Sequence, residues 1–112
     1  MKEPIRMAKY LIKGTYTQRG VQGLSKEGGS GRRDAVEKLI SGVGGKVEAL
    51  YFAFGGTDIY VTVDLPDNAT AAAIALRVNS AGAIQVETVP LLTPEEVDQA
   101  TQKDVDYRPP GA

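Results

Sequence analysis

The chain has no cysteine, no histidine and no tryptophan. Without Cys there is no disulfide, no thiolate nucleophile and no Cys-ligated metal, and a reducing, cytoplasmic setting suits it. Without His the commonest general base, the commonest transition-metal ligand and the usual haem ligand are all missing. Neither a metal nor a cofactor is expected. Any chemistry must run on carboxylates, Tyr, Lys, Arg, Ser or backbone groups. No apolar run approaches the roughly 18 residues that span a bilayer, so no membrane partner is expected. The opening "MKEPIRMAKYLIKG" carries basic residues but no extended apolar core, and does not read as a secretory signal. Met7 offers a second possible start, and residues 1–8 read as a disordered extension.

What is present suits one small globular domain of 112 residues, with 42% hydrophobic and 24% charged side chains. A domain of this size leaves much of its surface exposed, so self-association would help it reach ordinary stability. The net charge of −1 is uneven: residues 1–56 carry ten basic and five acidic side chains, residues 57–112 three and nine. Such asymmetry marks either an anion-binding face or self-association of opposite patches, unless folding averages it out. Nucleic-acid binding is not expected, because no long basic stripe accompanies it.

Along the chain, "KYLIKGTY" at Lys9 to Tyr16 reads as a first strand. Residues 18–27 suggest a short helix. Ala35, Val36, Leu39, Ile40 and Val43 then follow helical spacing from Gly31 onward, ending at Gly44-Gly45. In "KVEALYFAF", Val47, Ala49, Tyr51 and Ala53 alternate with Leu50, Phe52 and Phe54, which predicts a strand apolar on both faces over its second half. Gly55-Gly56 reads as a two-residue hairpin turn, and "DIYVTVDL" as the returning strand. "PDN" at 66–68 starts an Ala-rich helix over 69–80, Gly82 stops it, and "AIQVETV" is a fourth strand. Thr93-Pro94-Glu95-Glu96 opens a last short helix with an N-cap, Pro at N1 and a capping-box Glu. The tail "DVDYRPPGA", 104–112, is expected to be extended.

The order β-α-β-β-α-β predicts an α+β, ferredoxin-like domain over 9–103, an antiparallel sheet with both helices on one face. A strand apolar on both faces then calls for a cover on the bare face. A second copy supplies it in a two-fold dimeric α/β barrel, with a cavity between the two sheets.

"GGKVEALYFAFGGTDIYVTVDLPD", the Ala-rich helix after it, "GAIQVETVPLLTPEE" and the leading "YLIKGTYTQRGVQGL" together resemble the GYD domain family. The family's Gly-Tyr-Asp run is here Gly56-Thr57-Asp58, so no role of that Tyr carries over. The resemblance implies a ferredoxin-like, dimeric α/β-barrel fold in a small prokaryotic protein, and a family of unknown function.

Two sets of candidate residues stand out. Tyr10, Tyr16, Tyr51 and Tyr60 fall on or beside strands, where an apolar body with a polar tip suits either a partly wet cavity or a dimer interface. Asp58, after the Gly-Gly turn, is either a ligand-binding carboxylate or a turn-fixing one. The second set is Ser30, Gly31, Arg32 and Arg33. The run "GGSGRR" is neither a Walker A loop nor a dinucleotide fingerprint. It is either an anion nest at a helix N-terminus or a break in the helix whose arginines pair with Glu27, Asp34 or Glu37. The function expected is a small-molecule-binding or accessory module that pairs with itself and takes a small or anionic ligand. A cofactor-independent isomerase or monooxygenase and a structural oligomer component are the alternatives.

Overall fold

A computed structural model describes residues 7–112. The extension expected over 1–8 lies outside the described residues up to position 6, and Ala8 already belongs to the first strand. The elements are β1 (Ala8–Tyr16), α1 (Gln18–Gly42), β2 (Lys46–Phe52), β3 (Ile59–Leu65), α2 (Asn68–Ala81), β4 (Ile84–Leu91) and α3 (Pro94–Thr101). The four strands form one antiparallel sheet in the order β2-β3-β1-β4, so the two edges are β2 and β4. This α+β arrangement is the one that a ferredoxin-like chain adopts.

The period-two alternation of β1 and β3 decides which face is buried. Tyr10 and Ile12 of β1 and Ile59, Val61, Val63 and Leu65 of β3 join Ile40, Ala71 and Ile74 from the helices in one core. The Tyr10 hydroxyl donates to the Asn68 side chain at the start of α2, so a fully buried ring keeps its polar tip satisfied.

Two local expectations are corrected. The second half of β2 carries apolar side chains on both faces as expected, but Val47 does not share a face with Ala49 and Tyr51: Val47 pairs with Val63 and Ala49 with Thr62, so Glu48 is an extra residue in a β-bulge. The bulge puts Val47, Leu50 and Phe52 on the helix side, opposite Val63, Val61 and Ile59, and leaves Ala49 and Tyr51 on the open face. The β2–β3 connection is also longer than a two-residue turn, running from Ala53 to Asp58. Asp58 explains the length, because its amide donates to Gly14 O at 2.8 Å and its carboxylate accepts from Tyr16 N at 2.9 Å. Thr15 Oγ1 adds a bond to Gly56 O at 2.8 Å. The loop is tied to the end of β1 instead of closing tightly on itself.

The helices have legible ends. Thr17 caps α1, and Asp67 caps α2 by accepting from Thr70 N at 2.8 Å and Thr70 Oγ1 at 2.7 Å. Gly82 closes α2 with a left-handed φ of 80°. Asn79 accepts from Val86 N at 2.7 Å, which ties α2 to the free edge of β4. α3 has the full capping box expected of Thr93 and Glu96.

On the open face Lys9 Nζ bridges Glu48 at 2.6 Å and Asp64 at 2.9 Å. The Glu48 and Asp64 carboxylates hold the Lys9 ammonium above its usual range, and Lys9 in turn lowers Glu48. The Thr70 hydrogen bonds lower Asp67. A raised lysine contributes stability that is complete below its unfolded pKa and lost as pH rises through the folded one. Lowered carboxylates contribute above their unfolded pKa, and that part is lost as pH falls through the folded values. Denaturant midpoints should therefore be flat through neutral pH and fall at both ends. Lys9→Met should flatten the alkaline limb, and an unchanged alkaline limb would contradict the assignment.

Candidate functional site

The first half of α1 is poor in large side chains: five glycines lie between residues 18 and 31. Such a segment can approach the sheet closely at its start but cannot fill the space above it. Gly20 shows the close approach, since a Cβ there would stand 1.9 Å from Ala83 O. Eight residues on, Gly28 takes φ 80° and ψ 166°, and the helix kinks before resuming. Only glycine adopts that conformation without strain.

The bent helix leaves a cavity of about 310 Å³ between itself, α2 and the sheet. Ile12, Ile59, Val61, Ile84 and Val86 line its sheet side, Leu24, Val36, Leu39 and Ile40 its α1 side, and Ile74 and Val78 its α2 side. Polar side chains enter the lining only through Tyr16, Arg19, Glu27 and Arg32. Arg32 and Glu27 form a two-pronged ion pair across the kink, with Nε–Oε2 at 2.7 Å and Nη2–Oε1 at 2.9 Å. Gly31 leaves room for that pair, as a Cβ there would stand 2.8 Å from Glu27 Cγ. Arg19 donates to Ala81 O at the end of α2 and so closes the adjoining rim.

Two buried hydroxyls lack a hydrogen-bond partner among the described residues, Thr62 on the sheet and Tyr16 at the cavity. The Tyr16 ring belongs to the cavity wall. Burial raises its pKa, with Arg32 opposing and Glu27 and Asp58 adding to the rise. The Tyr16 hydroxyl is therefore a neutral donor at physiological pH. A buried polar group without a partner costs about 1–3 kcal/mol, so its retention beside a cavity calls for an explanation.

The candidate tyrosines do not converge. Tyr10 and Tyr16 lie on the helix side, Tyr10 packed in the core and Tyr16 at the cavity. Tyr51 and Tyr60 are cross-strand partners on the open face, 71% and 38% exposed. Asp58 joins Tyr16 through the backbone bond already described. In the glycine-rich run, Arg32 is engaged with Glu27, while Arg33 lies 3.5 Å from Asp34 and 3.7 Å from Glu37. Ser30 and Arg33 border a second, shallow groove with Gly29, Leu50, Tyr51 and Phe52. The cavity expected between two sheets would lie on the open face; the cavity inside this chain is on the other side. Arg19 and Leu24 were not expected at a site, and Glu27 only as an ion-pair partner of the arginines, although the glycine density of 18–31 was the signal for a gap above the sheet.

Among the described residues no group of three His, Cys, Asp or Glu side chains could hold a metal ion. No helix there is long and apolar enough to cross a membrane.

With the sheet order, the two helices on one face and the six-residue hairpin in view, the family follows from the match of the GYD domain to residues 10–101. The chain belongs to the GYD domain family. No curated protein and no solved structure matches it. In this GYD domain the hairpin that carries Gly56-Thr57-Asp58 serves to tie β3 to the end of β1.

Proposed function

We propose that this GYD domain is a homodimeric small-molecule-binding module whose ligand occupies the cavity beneath the kink of α1. The observation that carries the reading is the buried, unpartnered Tyr16 hydroxyl in a mostly aliphatic wall whose other polar side chains, Arg19, Glu27 and Arg32, are engaged. Ligand sites are typically apolar enclosures with a few placed polar groups, and about 310 Å³ is at the small end of their range. The ligand that suits it has a compact apolar body and one acceptor oxygen, a carbonyl or carboxylate, for the Tyr16 donor. Arg32 supplies charge at the same wall if it exchanges Glu27 for such a group. Pairing of two open sheet faces, with Tyr51 and Tyr60 at the contact, is the dimer that best fits the exposure of those rings. It would leave the ligand cavity on the far side of each sheet.

Native mass spectrometry of the protein purified from its host tests both parts together. The expected spectrum is a dimer carrying a noncovalent small molecule on each chain. A Val78→Phe variant, whose ring fills the cavity, should stay dimeric and lose the adduct. An adduct that persists in the filled variant would place the ligand elsewhere, and a bare monomer would overturn the reading.

A further inference from the structure

α3 is well formed, yet neither it nor the residues after it bury a side chain in their own chain. α3 is eight residues long, has a complete capping box and buries none of its side chains. Helices much shorter than about 12 residues are marginal in water without tertiary contacts. Val97, Val105 and Tyr107 are 47%, 79% and 69% exposed. The radius of gyration of 17.3 Å also exceeds the roughly 13 Å of a compact domain of this length. The chain thus carries an arm, residues 93–112, held away from its body.

We propose that this arm docks on a second copy of the chain, along the β2 edge and the groove beside the α1 kink. Three observations select that occupant and that place. The arm carries five acidic and two basic side chains, whereas α1 carries five basic and three acidic ones, so the arm of one copy complements α1 of another. Asp104-Val105-Asp106-Tyr107 alternates polar and apolar residues, the pattern of an extended segment that adds to a sheet edge. β2 is such an edge, and beside it the groove offers Leu50 and Phe52 to the apolar side chains and Arg33 to the acidic ones. The arm leaves its own sheet from β4, at the opposite edge. The docking goes beyond the proposed ligand site and does not depend on it or on pairing of the open faces.

The absence of cysteine makes the test clean. A full-length, nitrogen-15-labelled chain carrying Tyr107→Cys is mixed with an unlabelled full-length chain carrying Ser30→Cys and oxidised gently. Both positions are exposed, so the fold is not at stake. The docked arm raises the local thiol concentration, so the mixed-label disulfide should form about tenfold faster than with a Ser80→Cys control on α2. Adding Arg33→Glu to the Ser30→Cys chain should slow it severalfold. A rate equal to that of the control, or a product made only within the labelled population, would overturn the proposal. An unchanged rate with Arg33→Glu would overturn the pairing with the basic kink.

Discussion

Gly20→Ala should unfold the protein at a denaturant midpoint far below wild type, with a loss of about 3 kcal/mol and a melting point lower by roughly 10–15 °C. Helix propensity alone predicts the opposite, because Ala is the better helix former by about 1 kcal/mol. The close approach reverses the sign. A methyl at position 20 would stand 1.9 Å from the Ala83 carbonyl oxygen, a backbone atom that cannot swing away. That carbonyl also accepts from Thr17 N at 3.0 Å and Thr17 Oγ1 at 3.1 Å, so moving it loosens the cap of α1 as well. Gly23→Ala, one turn further along and with nothing within 4 Å of its added Cβ, is the matched control. It should be neutral or stabilising by up to about 1 kcal/mol. Equal effects at the two positions would show that α1 does not sit on the α2–β4 junction as described.

Tyr16→Phe should act in two directions. Without ligand, removing the unpartnered hydroxyl relieves a desolvated donor and should raise stability by about 1 kcal/mol, against the usual sign of a core substitution. With ligand, the same change removes the one buried donor in the cavity wall, and the stabilisation that ligand binding confers should fall at least tenfold in apparent affinity, or about 1.4 kcal/mol. A hydroxyl kept for packing alone has no reason to produce both effects. The pattern is that of a site whose poor pairing is tolerated because a ligand completes it.

Much of this arrangement was legible in the residues. The helix ends were carried by side chains that act on their immediate neighbours: Asp67, Gly82 and the Thr93–Glu96 box all hold the places their chemistry predicts. Strand alternation in β3 separated buried Val61 and Val63 from Tyr60 and Thr62 without ambiguity. What escaped depends on contacts distant in sequence. The bulge at Glu48 follows from register against β3, and one inserted residue moves Val47 onto the face of Leu50 and Phe52. The hairpin at Gly55-Gly56 looked tight because glycines suit positive φ, yet Asp58 is drawn to Gly14 and Tyr16 and lengthens it. The candidate site divides the same way. The glycine-rich run announced a break with arginines in reach of Glu27, Asp34 and Glu37, and those ion pairs are present. That the break roofs a cavity, with Tyr16 at its wall, required knowing that residues 18–31 lie above Ile59 and Ile84.

The most direct test of the ligand cavity is a set of four melting curves, wild type and Tyr16→Phe, each stripped of ligand and each reloaded with the molecule retained from the host. The predicted result is a crossing: Tyr16→Phe melts higher than wild type when stripped, and wild type melts higher when reloaded. If Tyr16→Phe melts lower in the stripped state, or gains as much as wild type on reloading, the hydroxyl is not the ligand's donor and the cavity is not its seat.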